Sequence, residues 1–259
     1  VPSAITIRLQ QLEEYLGVSL FIREKKSLVA TPKALLLYQY AKQIVALAYE
    51  AENTIKADQP SGPLRVGALE SMAATRLPAP LAQLYSIYPA IELELVTGIR
   101  DGLYQSLLDG ELDVVLIGDA PQNPLLNRSL IYDEELIIIA PKEHPKILMP
   151  SDAESATILA FKEGCSYRDR LLNWYQSFNI TPKRIAEVAS YHAILGGVAA
   201  GMGIAIIPKT MLDTFPNQDL LSVHYIDSAL GRIQIELIWR KELISANIQA
   251  LEKCLLNRT

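Results

Sequence analysis

The side chains in this sequence whose types and spacing could act together are hydroxyls and backbone amides more than acids, bases or metal ligands. Glu70-Ser71-Met72 follows an apolar run, Thr97-Gly98-Ile99 follows a run alternating Glu with apolar residues, and Gly164-Cys165-Ser166-Tyr167-Arg168 follows Phe161. Each lies where a strand-like stretch gives way to a helical one. Hydroxyls and free N–H groups at such points receive a carboxylate or phosphate. Ser71 and Ser166 serve equally well as helix N-caps, so the argument for a ligand rests on similar starts recurring in two parts of the chain. Ser190-Tyr191-His192 opens a further helix. The expected ligand set is therefore Ser71, Thr97, Gly98, Cys165, Ser166, Tyr167, Tyr191 and His192. The hydroxyls form its rim and the two tyrosines its walls, while His192 serves either as a contact or as an ordinary surface or packed histidine. Arg168 either anchors an anion or pairs with Asp169 or Glu163.

Other chemistries lack their parts. There is no Ser/His/Asp order, no Gly-rich phosphate loop and no pair of carboxylates at a catalytic spacing, so an enzyme is the weakest class. Two cysteines, Cys165 and Cys254, and three scattered histidines supply neither a disulfide framework nor a metal site, and no cofactor is expected. Cys165 lies at a helix start beside Arg168, a setting that favours thiolate formation. Cys254 stands far along the chain, so the reading of Cys165 as a packed or ligand-lining thiol competes with a redox one.

The elements that must position these groups follow from composition and periodicity. A chain of 259 residues that is 50% hydrophobic and 20% charged is expected to form two or three globular units. No apolar run reaches eighteen residues and no basic-then-apolar leader is visible, so a cytoplasmic protein with no membrane partner is expected. Net charge is −5, distributed as +2 over residues 1–33 and −7 over the rest: a small basic head on an acidic body. Residues 3–16 read as a helix stopped by Gly17, and basic residues between two short extended stretches at 18–32 read as a hairpin. From Lys33 to Lys56, Ala34, Leu37, Ala41, Ile44, Ala48, Ala51 and Ile55 form a heptad seam, which suits a dimerising helix. Residues 58–63 break the pattern and mark a hinge.

Beyond the hinge, strands and helices alternate. Strands are expected at 64–68, 91–97, 113–117, 131–140, 158–161, 184–188, 204–207 and 233–239, with helices at 71–88, 102–108, 167–178, 193–200 and 245–256. The first three strands with two intervening helices imply a parallel sheet, and the repeat of the pattern implies two α/β lobes that close on a small molecule.

Several motifs carry a family resemblance. Leu12-Glu13-Glu14-Tyr15-Leu16-Gly17, Leu20-Phe21-Ile22-Arg23 and Ala30-Thr31-Pro32 stand in the order and spacing of the winged helix-turn-helix of LysR-type transcriptional regulators. Tyr88-Pro89, Gly110-Glu111-Leu112-Asp113 and Ala200-Gly201-Met202-Gly203-Ile204-Ala205-Ile206-Ile207-Pro208 resemble markers of that family's effector domain. The chain departs from the family at Ile7, where an Arg is usual, and at Lys33, where "AG" usually precedes the next helix. The resemblance implies an α/β protein with a partial winged helix-turn-helix (1–32), a linker and dimerisation helix with hinge (33–62), and a two-lobed, periplasmic-binding-protein-like effector domain (63–259). Lobe I is placed at about 63–125 and 232–259, lobe II at about 126–231.

The implied function is a DNA-binding transcriptional regulator controlled by a small anionic metabolite, a carboxylate in chemistry, bound between the lobes. The implied partners are double-stranded operator DNA, further copies of the chain in a dimer or tetramer, and RNA polymerase. Ser3, Thr6, Ile7 and Gln10 are expected to face the major groove, with Ile7 against a thymine methyl, while Arg23, Lys25 and Lys26 hold the DNA backbone. The chain opens inside a helix, so an upstream segment is expected to have been left off, and residues 1–259 alone to bind DNA poorly. Some peroxide-sensing members carry a reactive Cys in a "G-x-C-x-R-D" context, which Cys165 misses by one place. The competing readings are a solute-binding receptor of the same clamshell shape and a thiol-based redox regulator using Cys165.

Overall fold

The structure, a computed structural model, describes residues 4–24, 27–56, 59–153, 156–226, 228–243 and 245–257. The chain divides into two compact units, Val1–Lys56 and Ala57–Thr259. In the first, α1 (Ala4–Leu16) ends at Gly17, whose φ of 64° supplies the left-handed turn expected there. Glu13 reaches back over that turn: its Oε1 accepts from the Leu20 N–H at 2.6 Å and the Phe21 N–H at 3.1 Å. The hairpin expected next is present as antiparallel β1 (Phe21–Glu24) and β2 (Ser27–Ala30). Thr31 then starts α2 (Pro32–Lys56). Its Oγ1 accepts from the Ala34 N–H at 3.2 Å, while Pro32, lacking a donor, fits the first turn. Ser3, Lys25 and Lys26 lie outside the described residues.

The second unit runs β3 (Gly62–Leu69), α3 (Glu70–Thr75), α4 (Pro78–Ile87), β4 (Ile91–Gly98), α5 (Arg100–Leu108), β5 (Val114–Gly118) and β6 (Leu126–Pro141). It continues through β7 (Thr157–Ala160), α6 (Ser166–Ser177), β8 (Arg184–Glu187), α7 (Tyr191–Ala199), β9 (Ala205–Pro208), α8 (Lys209–Leu212), β10 (Leu221–Tyr225), α9 (Ser228–Gly231), β11 (Arg232–Arg240) and α10 (Ala246–Leu256). Strands β4, β3 and β5 are mutually parallel, as the βαβ pattern implies; β11 then pairs antiparallel with both β5 and β6.

Strand β6 belongs to both lobes. Its residues 126–135 pair with β11, and residues 136–141 pair with β9 on one side and β10 on the other. Strands β7 and β8 pair in parallel, and an Ile158–Ile204 bridge joins them to the start of β9. Residues 136–140 are fully buried, the uninterrupted apolar run required of a strand covered on both faces.

The single helix expected at 71–88 is two. Pro78 has no N–H and its ring clashes with a preceding helical turn, so α3 ends at Thr75 and Pro78 begins α4 anew. The glycines at the helix-to-strand turn act as expected. Gly201 has φ 84°, and a Cβ on Gly203 would sit 2.0 Å from the Thr157 carbonyl oxygen.

Candidate effector site

Parallel pairing of β3 with β4 brings two of the expected strand ends side by side, with Ala68 opposite Thr97 and Leu69 opposite Gly98. Chain reversal after β3 carries Ser71 inward, where it is 0% exposed. Its Oγ lies 3.2 Å from the phenol oxygen of Tyr167, which comes from α6 in the other lobe. Tyr191, on α7, is buried with it, and its ring packs against Phe161 at 4.8 Å between centroids. Burial pushes both phenols well above the usual tyrosine range, with the Ser71 hydroxyl pulling the other way. Both tyrosines therefore remain neutral hydrogen-bonding groups across the physiological range.

Three further contacts close one lobe on the other. Glu70 Oε1 accepts the Tyr191 N–H at 3.4 Å, setting a carboxylate at the positive end of α7. Arg100 Nη2 pairs with Asp169 at 2.8 Å, and the Asp101 N–H donates to the Gly164 carbonyl at 3.2 Å. Gly164 has φ 88°, and a Cβ there would meet the Asp101 carboxylate at 2.8 Å, so the approach needs a residue without a side chain.

The N-cap alternative for the two serines does not hold. The N-cap of α3 is Leu69 and that of α6 is Cys165, with no side-chain capping bond in either. Ser166 is the first residue of α6, 0% exposed, and its Oγ has no hydrogen-bond partner among the described residues. A hydroxyl buried without a hydrogen bond costs about 1–3 kcal/mol.

Arg168 is not an anion anchor. Its Nη1 donates to the Phe161 carbonyl at 3.0 Å and to Glu187 at 2.7 Å, with Glu163 at 3.7 Å from Nη2, while Asp169 turns to Arg100 instead. Cys165 is buried too. Burial pushes its thiol up, and the backbone N–H groups of Arg168 and Tyr167 offset this only in part. A buried thiol whose pKa is raised is a poorer nucleophile, which weighs against the redox alternative.

Thr97 is exposed, Gly98 half-buried, and His192 exposed although its neighbour Tyr191 is not: one helical step of about 100° separates them. The structure thus gathers Ser71, Cys165, Ser166, Tyr167 and Tyr191 in the buried region and leaves Thr97 and His192 at the surface. Glu70, Arg100, Asp101 and Gly164 were missed as functional candidates. Arg100-Asp101 directly after the second strand end was the available signal. Among the described residues no group of His, Cys, Asp and Glu is arranged to hold a metal, and no helix is long and apolar enough to cross a membrane.

A hairpin-winged head and a two-lobed α/β unit closed over a polar centre are the architecture of a ligand-sensing regulator, and residues 57–259 match the LysR substrate binding domain. The chain belongs to the LysR family of transcriptional regulators. It is 34% identical over 243 residues to the uncharacterized HTH-type transcriptional regulator YusT of Bacillus subtilis, covering 93% of this chain and 81% of that one. It is 32% identical to the HTH-type transcriptional regulator GltR of the same organism, covering 93% and 82%. The fold is similar to that of a full-length OxyR variant from Pseudomonas aeruginosa (TM-score 0.73, 22% identity, 98% of this chain and 88% of that one). It is similar also to full-length CbnR complexed with its target DNA (TM-score 0.69, 22% identity, 97% and 88%).

Proposed function

We propose that this LysR-family regulator binds operator DNA in the cytoplasm as a homodimer or tetramer, and that a small carboxylate held between its two lobes sets its DNA-binding state. The observation that carries the ligand half of this reading is Ser166: a fully buried hydroxyl with no partner among the described residues, at the amino end of a twelve-residue helix, beside the Ser71–Tyr167 bond that joins the lobes. A carboxylate entering there takes the Ser166 and Ser71 hydroxyls and the α6 N–H groups, with the two neutral phenols as donors and walls. Gly98 and Thr97 form the rim, and Cys165 contributes a neutral wall. Entry of the ligand replaces the direct Ser71–Tyr167 bond with bonds through itself, so it favours one degree of lobe closure over another. That differential affinity is what a regulatory ligand requires.

The DNA half rests on α1 and the hairpin. Ile7 and Gln10 are exposed on α1, and Arg23 lies in β1. Thr6, Ile7 and Gln10 read bases, and the basic wing holds phosphates. The reading is regulatory and involves no catalysis.

Sequence selection from a random duplex library, with protein expressed from the complete reading frame, tests this half. The wild type should enrich a two-fold symmetric site, and Ile7→Arg should enrich a site with altered bases at the same spacing. Enrichment of no symmetric site, or of the same bases by both proteins, contradicts the proposal.

A further inference from the structure

Two ion pairs join the lobes, and their signs alternate. Asp169 and Arg170 are consecutive residues of α6. Asp169 takes Arg100 Nη2 at 2.8 Å, while Arg170 grips Asp119 in a parallel fork, Nε to Oδ2 at 2.5 Å and Nη2 to Oδ1 at 2.7 Å. The partners in the first lobe come from different strand ends, Arg100 shortly after β4 and Asp119 directly after β5. Strand β3, which leads to Ser71, lies between β4 and β5 in the sheet. By strand order, therefore, the ion pairs flank the Ser71–Tyr167 bond.

Arg170 does more than pair. Its Nη1 donates at 2.8 Å to the carbonyl of Arg232, the residue that opens β11 opposite Glu135, where β6 leaves β11 for β9 and β10. One guanidinium thus ties α6 to a strand end of the first lobe and to the hinge. Asp119 has φ 55°, a left-handed conformation uncommon outside glycine that surrounding contacts must hold in place, and the Arg170 fork is such a contact. A shift of α6 that exchanged partners would set Asp169 against Asp119 and Arg100 against Arg170, like charge against like, so the alternation favours one register. The four side chains are between 16% and 38% exposed, wet enough for dissolved salt to weaken both pairs.

From this arrangement we infer that Arg170–Asp119 and Arg100–Asp169 form a two-point electrostatic latch that sets the register and extent of lobe closure and loosens with ionic strength, with Arg170 as its positioning residue. The latch bears on the proposed effector site by setting how readily that site opens, and its test needs no effector, so its failure leaves the ligand reading standing.

Hydrogen exchange of the complete protein reads the opening directly. The Asp101 and Tyr191 amides lie in the first turns of α5 and α7, where helices give N–H groups no acceptor, and they donate across the lobes to Gly164 and Glu70. Lobe opening exposes them while the amides of β5, in the middle of the sheet, stay protected. Arg170→Gln should quicken exchange at Asp101 and Tyr191 by about tenfold and leave β5 unchanged. Asp119→Asn, which keeps a residue tolerant of left-handed φ, should do the same, and the double variant should be no faster than Arg170→Gln. Raising salt from about 20 mM to about 0.5 M should quicken the same two amides in the wild type and do less in Arg170→Gln. Unchanged exchange at Asp101 and Tyr191 in Arg170→Gln overturns the latch. So does quickening in step with β5, which would make Arg170 a support of the fold alone, and so does a double variant whose effect is the product of the two single ones.

Discussion

In the carboxyl-terminal unit, residues 114–117 of β5 and 136–140 of β6 are wholly covered, whereas α1 buries no residue and α2 leaves Leu35, Leu36, Tyr38, Tyr40, Ile44, Val45 and Leu47 more than half exposed. Both segments are rich in apolar side chains. The difference lies in what the chain supplies to cover them: β5 and β6 have strand neighbours on both edges and helices packed against them, while α2 buries only Ala34 of the described residues of its seam. A patch of that extent is the mark of an interface, and the symmetric assemblies of DNA-binding regulators supply one. One unit is thus completed by its own sequence, and the other is expected to be completed by another copy.

The largest effect should come from attacking that completion. Ala41 and Ala48 are exposed on the expected seam, and the double variant Ala41→Glu, Ala48→Glu should turn a sedimenting dimer into monomer while leaving the melting of the second unit in place. Unchanged sedimentation would remove the contrast between the units.

Within the self-contained unit, Gly203→Ala should be the more damaging kind of change. Its Cβ would fall 2.0 Å from the Thr157 carbonyl oxygen, where backbone has to move, and a loss of about 3 kcal/mol in denaturant unfolding is expected. Assembly through α2 should survive it in the fraction that folds.

Ser166→Ala should act oppositely on stability and binding. Removing a buried hydroxyl without a partner among the described residues should raise the unfolding free energy by about 1 kcal/mol, whereas a serine that merely capped its helix would lower it on replacement.

The smallest effect is a pH dependence in the second lobe. His224 accepts the Ile147 N–H on Nδ1 at 3.0 Å and faces the Ser222 hydroxyl with Nε2 at 2.9 Å. Burial first, then the charges of His144 and Lys146, hold its imidazole below the usual histidine range. An unfolded imidazole titrates near 6.5, so above that pH both states are neutral and this source of stability is complete. As pH falls from about 6.5 toward the folded value, the unfolded chain gains a proton that the folded chain resists, and stability is lost. Melting at pH 7.5 and 5.5 should differ less in His224→Gln than in the wild type, and an equal difference would dismiss the histidine as the cause.

How far the sequence alone reaches differs in the same way between regions. The strands at β3, β4, β5 and β6 were legible because their apolar runs are bounded by Gly, Pro and charge. The break between α3 and α4 was written at Leu77-Pro78, yet the apolar period continues through it and hides it. Leu221–Tyr225 carries Ser222 and His224, too polar to announce β10, and it becomes a strand because β6 offers an open edge. The antiparallel entry of β11 depends on a pairing more than a hundred residues away in sequence, which no local pattern records.

At the site, Ser71, Ser166, Tyr167 and Tyr191 were legible as strand ends and helix starts. Whether Tyr191 or His192 turns inward is a matter of helix rotation, and the choice of Glu187 for Arg168 is a matter of how β7 and β8 pair. Neither is encoded within a few residues of the side chain concerned.

The central claim, that the lobes hold a small carboxylate through the unpartnered Ser166 hydroxyl and its Ser71 neighbour, is tested most directly by calorimetric titration of the wild type, Ser71→Ala and Ser166→Ala with a panel of small carboxylates. A carboxylate that binds the wild type should bind each variant more weakly by about 1 kcal/mol for a neutral hydrogen bond, and by about 1.5–3 kcal/mol where the charged group itself is the partner. Equal affinity across all three proteins would contradict the account and move the site elsewhere.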